Sequence, residues 1–275
     1  MRALARLYHP ITGTPFQQDE TYREVTPCAA LSPYIRCFWG SDGPQPDRPS
    51  QGGIVIPDTC MDIIFHMDFA GNRLSAVFCA LDESSELTAP SMSSGGLAAT
   101  FAIRFYAWTA CLFAEAPLRG IANGHFPAEQ FFRRIVQALS PLMQTGLPLD
   151  GMIRAAEPLL LSLLNLQRAD ADVLNAVHHM LRTSGRIRVG EAAAALALSP
   201  RQLERRFDAC MGLSPKAMSS LLRYQLLWQD MLRSPRFDAL DAVARYGYAD
   251  QAHLLHDFRR RHLMSPREAL ALARR

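Results

Sequence analysis

The C-terminal hundred or so residues repeat themselves at an offset of 51, and this repeat limits the fold more than any other feature. Leu203 recurs as Leu254, Phe207 as Phe258, and Ser214-Pro215 as Ser265-Pro266. Each copy opens on a turn signal, runs helically through residues rich in Arg and His, and stops at Ser-Pro. An apolar Leu/Phe pair at i, i+4 with exposed basic positions between reads as the second half of a helix-turn-helix. Two copies in register are much harder to obtain by accident than one. The repeat therefore predicts two helices that read double-stranded DNA.

Charge is distributed to match. The net charge of +3 hides an asymmetry: residues 168–275 hold 18 Lys and Arg against 11 Asp and Glu, whereas residues 1–167 hold 11 against 15. Basic charge gathered in the repeated half fits a polyanionic partner, because phosphate contacts supply most non-specific affinity for DNA. On charge alone, a merely solvated basic face is the alternative.

The chain's 275 residues suffice for two domains, each with its own core. No apolar run reaches the roughly 18 residues of a membrane-spanning helix, so no membrane partner is expected. Met1 to Arg6 lack the apolar region of a signal peptide, and a cytoplasmic location is the expectation. Cysteines at 28, 37, 60, 79, 111 and 210 form no C-x-x-C pair and lie mostly in apolar contexts. They read as buried small hydrophobes rather than disulfides or zinc ligands.

The fold class expected is α+β. Residues 1–126 form an antiparallel β-rich, barrel- or sandwich-like domain that would hold an effector. Runs at 54–56, 61–66 and 101–105 are β-branched or aromatic, and turn-formers separate them at 40–44, 52–53, 70–72 and 93–96. Residues 42–51, with three prolines, read as a surface loop. Residues 127–168 form a helical connector with two apolar stripes, one through Phe131, Phe132, Ile135, Val136 and Leu139. These stripes would either pair two chains as a homodimer or pack on the chain's own sheet.

Residues 169–275 form an all-α domain with two helix-turn-helix units. Ser199, Pro200 and Gln202 make a capping box for a first reading helix that ends at Gly212. A helix from Pro215 to about Arg233 would span roughly 28 Å, near the roughly 34 Å between successive major-groove faces. The second scanning helix lies between Asp238 and Gly247, the second reading helix runs from Asp250 to His262, and Ser265 to Glu268 cap a closing helix.

These segments resemble the DNA-binding domain of AraC/XylS-type transcription regulators. The resemblance rests on Leu198 to Phe207, Gly212-Leu213-Ser214-Pro215, and Gly247 to Leu254 with Asp257-Phe258-Arg259-Arg260 behind. The N-terminal part resembles a poorly characterised sensor-like domain through Tyr22 to Val25, Leu31 to Ile35, Phe38-Trp39, Ile56-Pro57-Asp58 and Asp62 to Phe65. Three positions depart from the pattern: Ala197 stands where the family favours Gly, Val243 where a small Ala is usual, and Leu263 where Gly follows the second reading helix.

With Leu203 and Phe207 as anchors, Arg201, Gln202, Glu204 and Arg205 point outward. Arg donates bidentately to guanine, and Glu accepts from cytosine N4. Glu204 would otherwise orient an arginine, and Gln202 would otherwise serve the cap. Arg206 reads as a phosphate contact or a structural pair. The resemblance places base contacts at Gln251, His253 and His256, the two histidines being able to touch bases or phosphates; Arg259, Arg260 and Arg261 read as phosphate clamps or as solvated surface charges. Trp39, Asp58, Asp62, His66 and Arg104 are polar or aromatic residues among apolar strands and would line an effector pocket. Asp58, Cys60, Asp62 and His66 also invite a metal reading, which no second cluster completes. Arg104 paired with a buried carboxylate is the plain alternative.

The function expected is sequence-specific transcription regulation under small-molecule control, with RNA polymerase as a further partner for an activator. No catalytic residue, metal or cofactor is expected. The alternative is an enzyme, such as a DNA-repair alkyltransferase that uses the C-terminal domain for targeting. Its closely spaced cysteines are missing here, as are G-x-S-x-G, H-E-x-x-H and P-loop patterns.

Overall fold

Alternation of large apolar and polar residues builds the N-terminal sheet. The computed structural model describes residues 1–12, 22–46, 53–88, 96–234 and 237–274. Helix α1 (Arg2–Leu7) precedes β1 (Arg23–Val25), β2 (Ile35–Gly40), β3 (Gln45–Pro46), β4 (Gly53–Val55), β5 (Cys60–Asp68), β6 (Arg73–Cys79), β7 (Glu86–Thr88) and β8 (Leu97–Tyr106). Helix α2 (Ala107–Ala110), β9 (His125–Pro127), α3 (Glu129–Met143) and α4 (Leu149–Leu163) follow. The main sheet runs β1-β2-β8-β5-β6-β9, all antiparallel, with β3 also on β8 and with β4 and β7 forming a separate pair. The expected turn at Ala70 to Asn72 joins β5 to β6, where Asp68 accepts from the Gly71 amide at 2.9 Å. Within the predicted loop at 42–51, Gln45 and Pro46 form β3 on β8, while residues 47–52 and 93–95 lie outside the described residues.

One sheet face carries Phe38, Ile63, Phe65, Phe78, Ile103 and Phe105, all buried. Helices α3 and α4 cover it, with the Phe132 ring 4.7 Å from that of Phe78. The apolar stripes of both helices are thus spent on the chain's own sheet: Phe131, Ile135, Leu139, Met152, Ile153 and Leu160 are all buried there. The opposite face carries a polar row, because β-register sets Cys37 beside Arg104 and Arg104 beside Asp62.

The helical region follows its caps. Helix α5 (Ala171–Arg182) starts at Asp170, which accepts from the Asp172 and Val173 amides. Then come α6 (Val189–Ala194), α7 (Pro200–Met211), α8 (Pro215–Arg233), α9 (Ala239–Tyr246), α10 (Gln251–His262) and α11 (Pro266–Ala273). Helix α6 stops at Ala194, and Ala197 behind it sits at φ +54°, in the left-handed region that cannot continue a helix. Leu263 takes the same conformation at φ +60° as the C-cap of α10. Both departures from glycine therefore fall at positions that carry backbone strain. Val243 is half-buried and packs on the core.

Among the described residues, no helix is long and apolar enough to cross a membrane.

Candidate nucleic-acid interface

Helix α7 is fixed at its start by a reciprocal cap: the Gln202 amide donates to Ser199 Oγ at 3.3 Å and the Ser199 amide to Gln202 Oε1 at 2.8 Å. Leu203 and Phe207 are fully buried beneath it. Arg201, Gln202, Glu204 and Arg205 are exposed and line a shallow groove with Ser199 and Asp208. Gln202 spends its oxygen on the cap. Arg206 is a structural pair: it bonds Asp170 at 2.7 Å and approaches Asp172 at 3.4 Å, and the Asp170 hydrogen bond raises its pKa.

Helix α10 repeats this design. Asp250 accepts from the His253 amide at 2.7 Å, and Leu254 and Phe258 are buried. Gln251, His253, His256, Arg259 and Arg260 are exposed. His253 is positioned by its own neighbours: Nδ1 accepts from the Ala249 amide at 3.3 Å, and the ring stands edge-on to Tyr248 at 5.3 Å. Arg260 contacts Asp257 at 3.2 Å, and Asp257 also accepts from the Tyr248 hydroxyl.

Arg261 is the correction. Expected on the phosphate side, it is 1% exposed. Its guanidinium donates to the Glu83 carbonyl at 2.9 Å and to Ser220 Oγ at 2.8 Å, with Asp257 at 3.6 Å. The Arg261 carbonyl in turn accepts from the amide and hydroxyl of Ser85. Helical spacing held the signal, since 254, 258 and 261 share one stripe. His262 beside it is fully buried among Tyr224, Trp228 and Phe258, and burial lowers its pKa to about 4.

Helices α7 and α10 thus both rest their inner sides on the N-terminal part of the chain. At α7, the Leu118 amide donates to the Ala209 carbonyl at 3.0 Å and the Gly120 amide to Asp208 at 3.1 Å. A Cβ on Gly212 would stand 2.5 Å from Ile121 and 2.6 Å from the Leu118 carbonyl oxygen. Cys111 and Cys210 bring their sulfurs to 3.0 Å across the same contact. Helix α8 is held too: Gln225 and Gln229, both buried, bond the backbone of Ile11, Pro57 and His9.

The sequence-predicted effector residues divide. Arg104 lies against Asp62 at 2.7 Å and Glu24 at 3.2 Å, with its guanidinium 5.5 Å from the Trp39 ring. Burial opposes the Arg104 charge, but Asp62 more than offsets this and raises its pKa. Burial alone would raise Glu24, yet Thr12, Arg104 and Tyr22 together hold it below its usual range. Asp58 accepts from the Cys60 amide, and burial pushes its carboxyl up to about 7. His66 stands apart at 3.3 Å from Thr100, exposed. The paired-carboxylate alternative describes Arg104 as it stands. Among the described residues, the group whose ligand atoms lie within 4.8 Å of one another is Asp82, Glu86 and His125, none of them a sequence candidate.

Residues 192–271 match a helix-turn-helix domain family, and residues 23–127 match a domain of unknown function. Fold and site together define a DNA-binding protein with paired helix-turn-helix units. The chain joins a helix-turn-helix domain to an N-terminal domain of unknown function.

Matches among solved structures include a DNA-binding transcriptional dual regulator from Escherichia coli K-12, at 18% identity, 38% of this chain, 96% of that chain and TM-score 0.35. ToxT from Vibrio cholerae in its P21 form matches at 11% identity, 86% of this chain, 98% of that chain and TM-score 0.42. Wild-type ToxT from Vibrio cholerae strain SCE256 with a bound unsaturated fatty acid matches at 10% identity, 86% and 95% coverage and TM-score 0.40. No curated protein matches the chain.

Proposed function

We propose that this chain is a transcription regulator that lays α7 and α10 into neighbouring major-groove segments of double-stranded DNA, under control of a small molecule held by its N-terminal part. In this reading residues 1–126 sense, 127–168 connect, and 169–275 bind DNA. Arg201, Glu204, Arg205 and Gln251 choose bases, His253 and His256 support them, and Arg259 and Arg260 neutralise phosphates.

One observation supports the control step most. The N-terminal part holds the inner side of each reading helix and the helix between them, through Leu118, Gly120, Ser85 and the Gln225–Gln229 contacts. A ligand that shifts these contacts changes how the two helices are presented, provided it binds the two arrangements unequally. Pairing of two chains would use surfaces other than the stripes of α3 and α4, which are occupied.

The test is a gel shift of the full chain against its own upstream region. A sequence-selective band at moderate salt is expected, its affinity falling steeply as salt rises. Equal binding to unrelated duplexes would refute the assignment.

A further inference from the structure

A cleft of about 470 Å³ opens between α1 and the start of β2, within the usual size of small-molecule sites. Arg2 and Arg6 come to it from α1 and His9 from the extended segment just behind that helix, while Leu4 and Tyr8 are buried in the core. Arg36 comes from the sheet. The β2–β8 register shifts between Ile35 and Cys37, so Arg36 is the extra residue of a bulge, a device that re-aims a side chain. Its Nε is buried without a hydrogen-bond partner among the described residues. Ala5, Pro33 and Tyr106 supply apolar wall, Thr26 and Ser32 supply hydroxyls, and no carboxylate is among the described lining residues.

Cationic side chains that converge without a counter-charge repel one another. Burial lowers the pKa of His9, and the Arg36 charge lowers it further. Glu24, the carboxylate felt by Arg36, is already bonded to Thr12, Tyr22 and Arg104. A planar guanidinium with an unused N–H fits carboxylate or phosphate oxygens.

We propose that this cleft binds a compact organic anion of two or more negative charges, carboxylate or phosphate, with Arg36 as its central contact and Arg2, Arg6 and His9 closing over it. The site lies at one end of a mechanical link. Directly after α1, the chain segment His9 to Ile11 is hydrogen-bonded to Gln229 and Gln225 of α8, the helix that separates the two reading helices. An anion that fixes α1 on β2 therefore fixes this segment on α8. The effect on DNA rests on the regulator reading above; binding of the anion does not.

The full chain is titrated with sodium succinate and, separately, with sodium phosphate at constant ionic strength. Melting temperature and tryptophan emission are followed, since Trp108 stacks on Tyr106 at 5.4 Å. A saturable response to at least one probe is expected, and the responding probe tells carboxylate from phosphate chemistry. Arg36→Gln should weaken that response about tenfold or more, the size of one lost charged hydrogen bond. The double variant Arg2→Gln/Arg6→Gln, altered only on exposed positions, should weaken it severalfold and decides the matter if Arg36→Gln does not fold. No saturable response to either probe, or binding unchanged in the variants, overturns the site. A gel shift with and without the bound probe then reads the link to α8: altered DNA affinity supports it, and unaltered affinity with intact anion binding overturns the link alone.

Discussion

Replacing Arg261 with alanine separates two roles that give opposite results. As a phosphate clamp, Arg261 would contribute to DNA affinity and little to stability. The structure instead gives it two charged hydrogen bonds, to the Glu83 carbonyl and Ser220, in a site from which water is excluded. Each is worth about 1.5–3 kcal/mol, and a buried partner left behind adds to the loss. Asp257 keeps the Tyr248 hydroxyl and Arg260, which limits that addition. The expected destabilisation is about 3–5 kcal/mol, a large part of the stability of an ordinary domain. Urea unfolding measures it directly. The salt dependence of DNA binding supplies the contrast, because each phosphate neutralised contributes about 0.9 to the logarithmic slope. Arg261→Ala should leave that slope unchanged, whereas exposed Arg259→Ala should lower it by about 0.9 with stability nearly intact. An unchanged urea midpoint together with a reduced slope for Arg261→Ala would refute the buried role.

Alanine at both Arg201 and Gln251 should cost about 1–3 kcal/mol of base discrimination per site, read by competition against scrambled duplexes; target preference left intact would dismiss both as readers. Leu263→Gly should stabilise the chain by about 0.5–1 kcal/mol, because φ +60° is unfavourable for leucine, and a lower melting temperature would contradict this. Gly212→Ala should destabilise by about 2 kcal/mol or more, since φ is +66° and the new Cβ would meet Leu118 and Ile121; a neutral result would show that the loop yields. His262, whose folded pKa is depressed to about 4 from about 6.5, stabilises fully above pH about 6.5. That contribution, up to about 3 kcal/mol, is lost as pH falls through 4, and His262→Phe should remove this part of the acid sensitivity in urea midpoints measured from pH 7 to 4.

The helical half was legible because its signals are local. Ser199 with Gln202, and Ser265 with Glu268, are reciprocal caps three residues apart, and α8 occupies its expected span. Among the strands, the expected runs at 54–56, 61–66 and 101–105 fall on β4, β5 and β8, and the others carried no clear signal. β6 is half exposed, and β1, β7 and β9 have three residues each, too short for a pattern to stand out. The docking of the two halves was invisible, because Gly120 meets Asp208, Ser85 meets Arg261 and His9 meets Gln229 across 88 to 220 residues of sequence. Buried glutamines on α8 read as ordinary polar positions until the backbone they bond is known. The cationic cleft escaped notice for a related reason, since a bulge at Arg36 appears only once β2 is paired.

The 19 residues of α8 also act as a fixed ruler. One inserted residue would lengthen it by about 1.5 Å and turn everything beyond by about 100°. Ser85 and Glu83 would then face the wrong side of the second unit, while Gln225 stayed in register with the N-terminal segment. Exchanging the outward side chains of α7 and α10 leaves that spacing untouched; a change in the length of α8 does not.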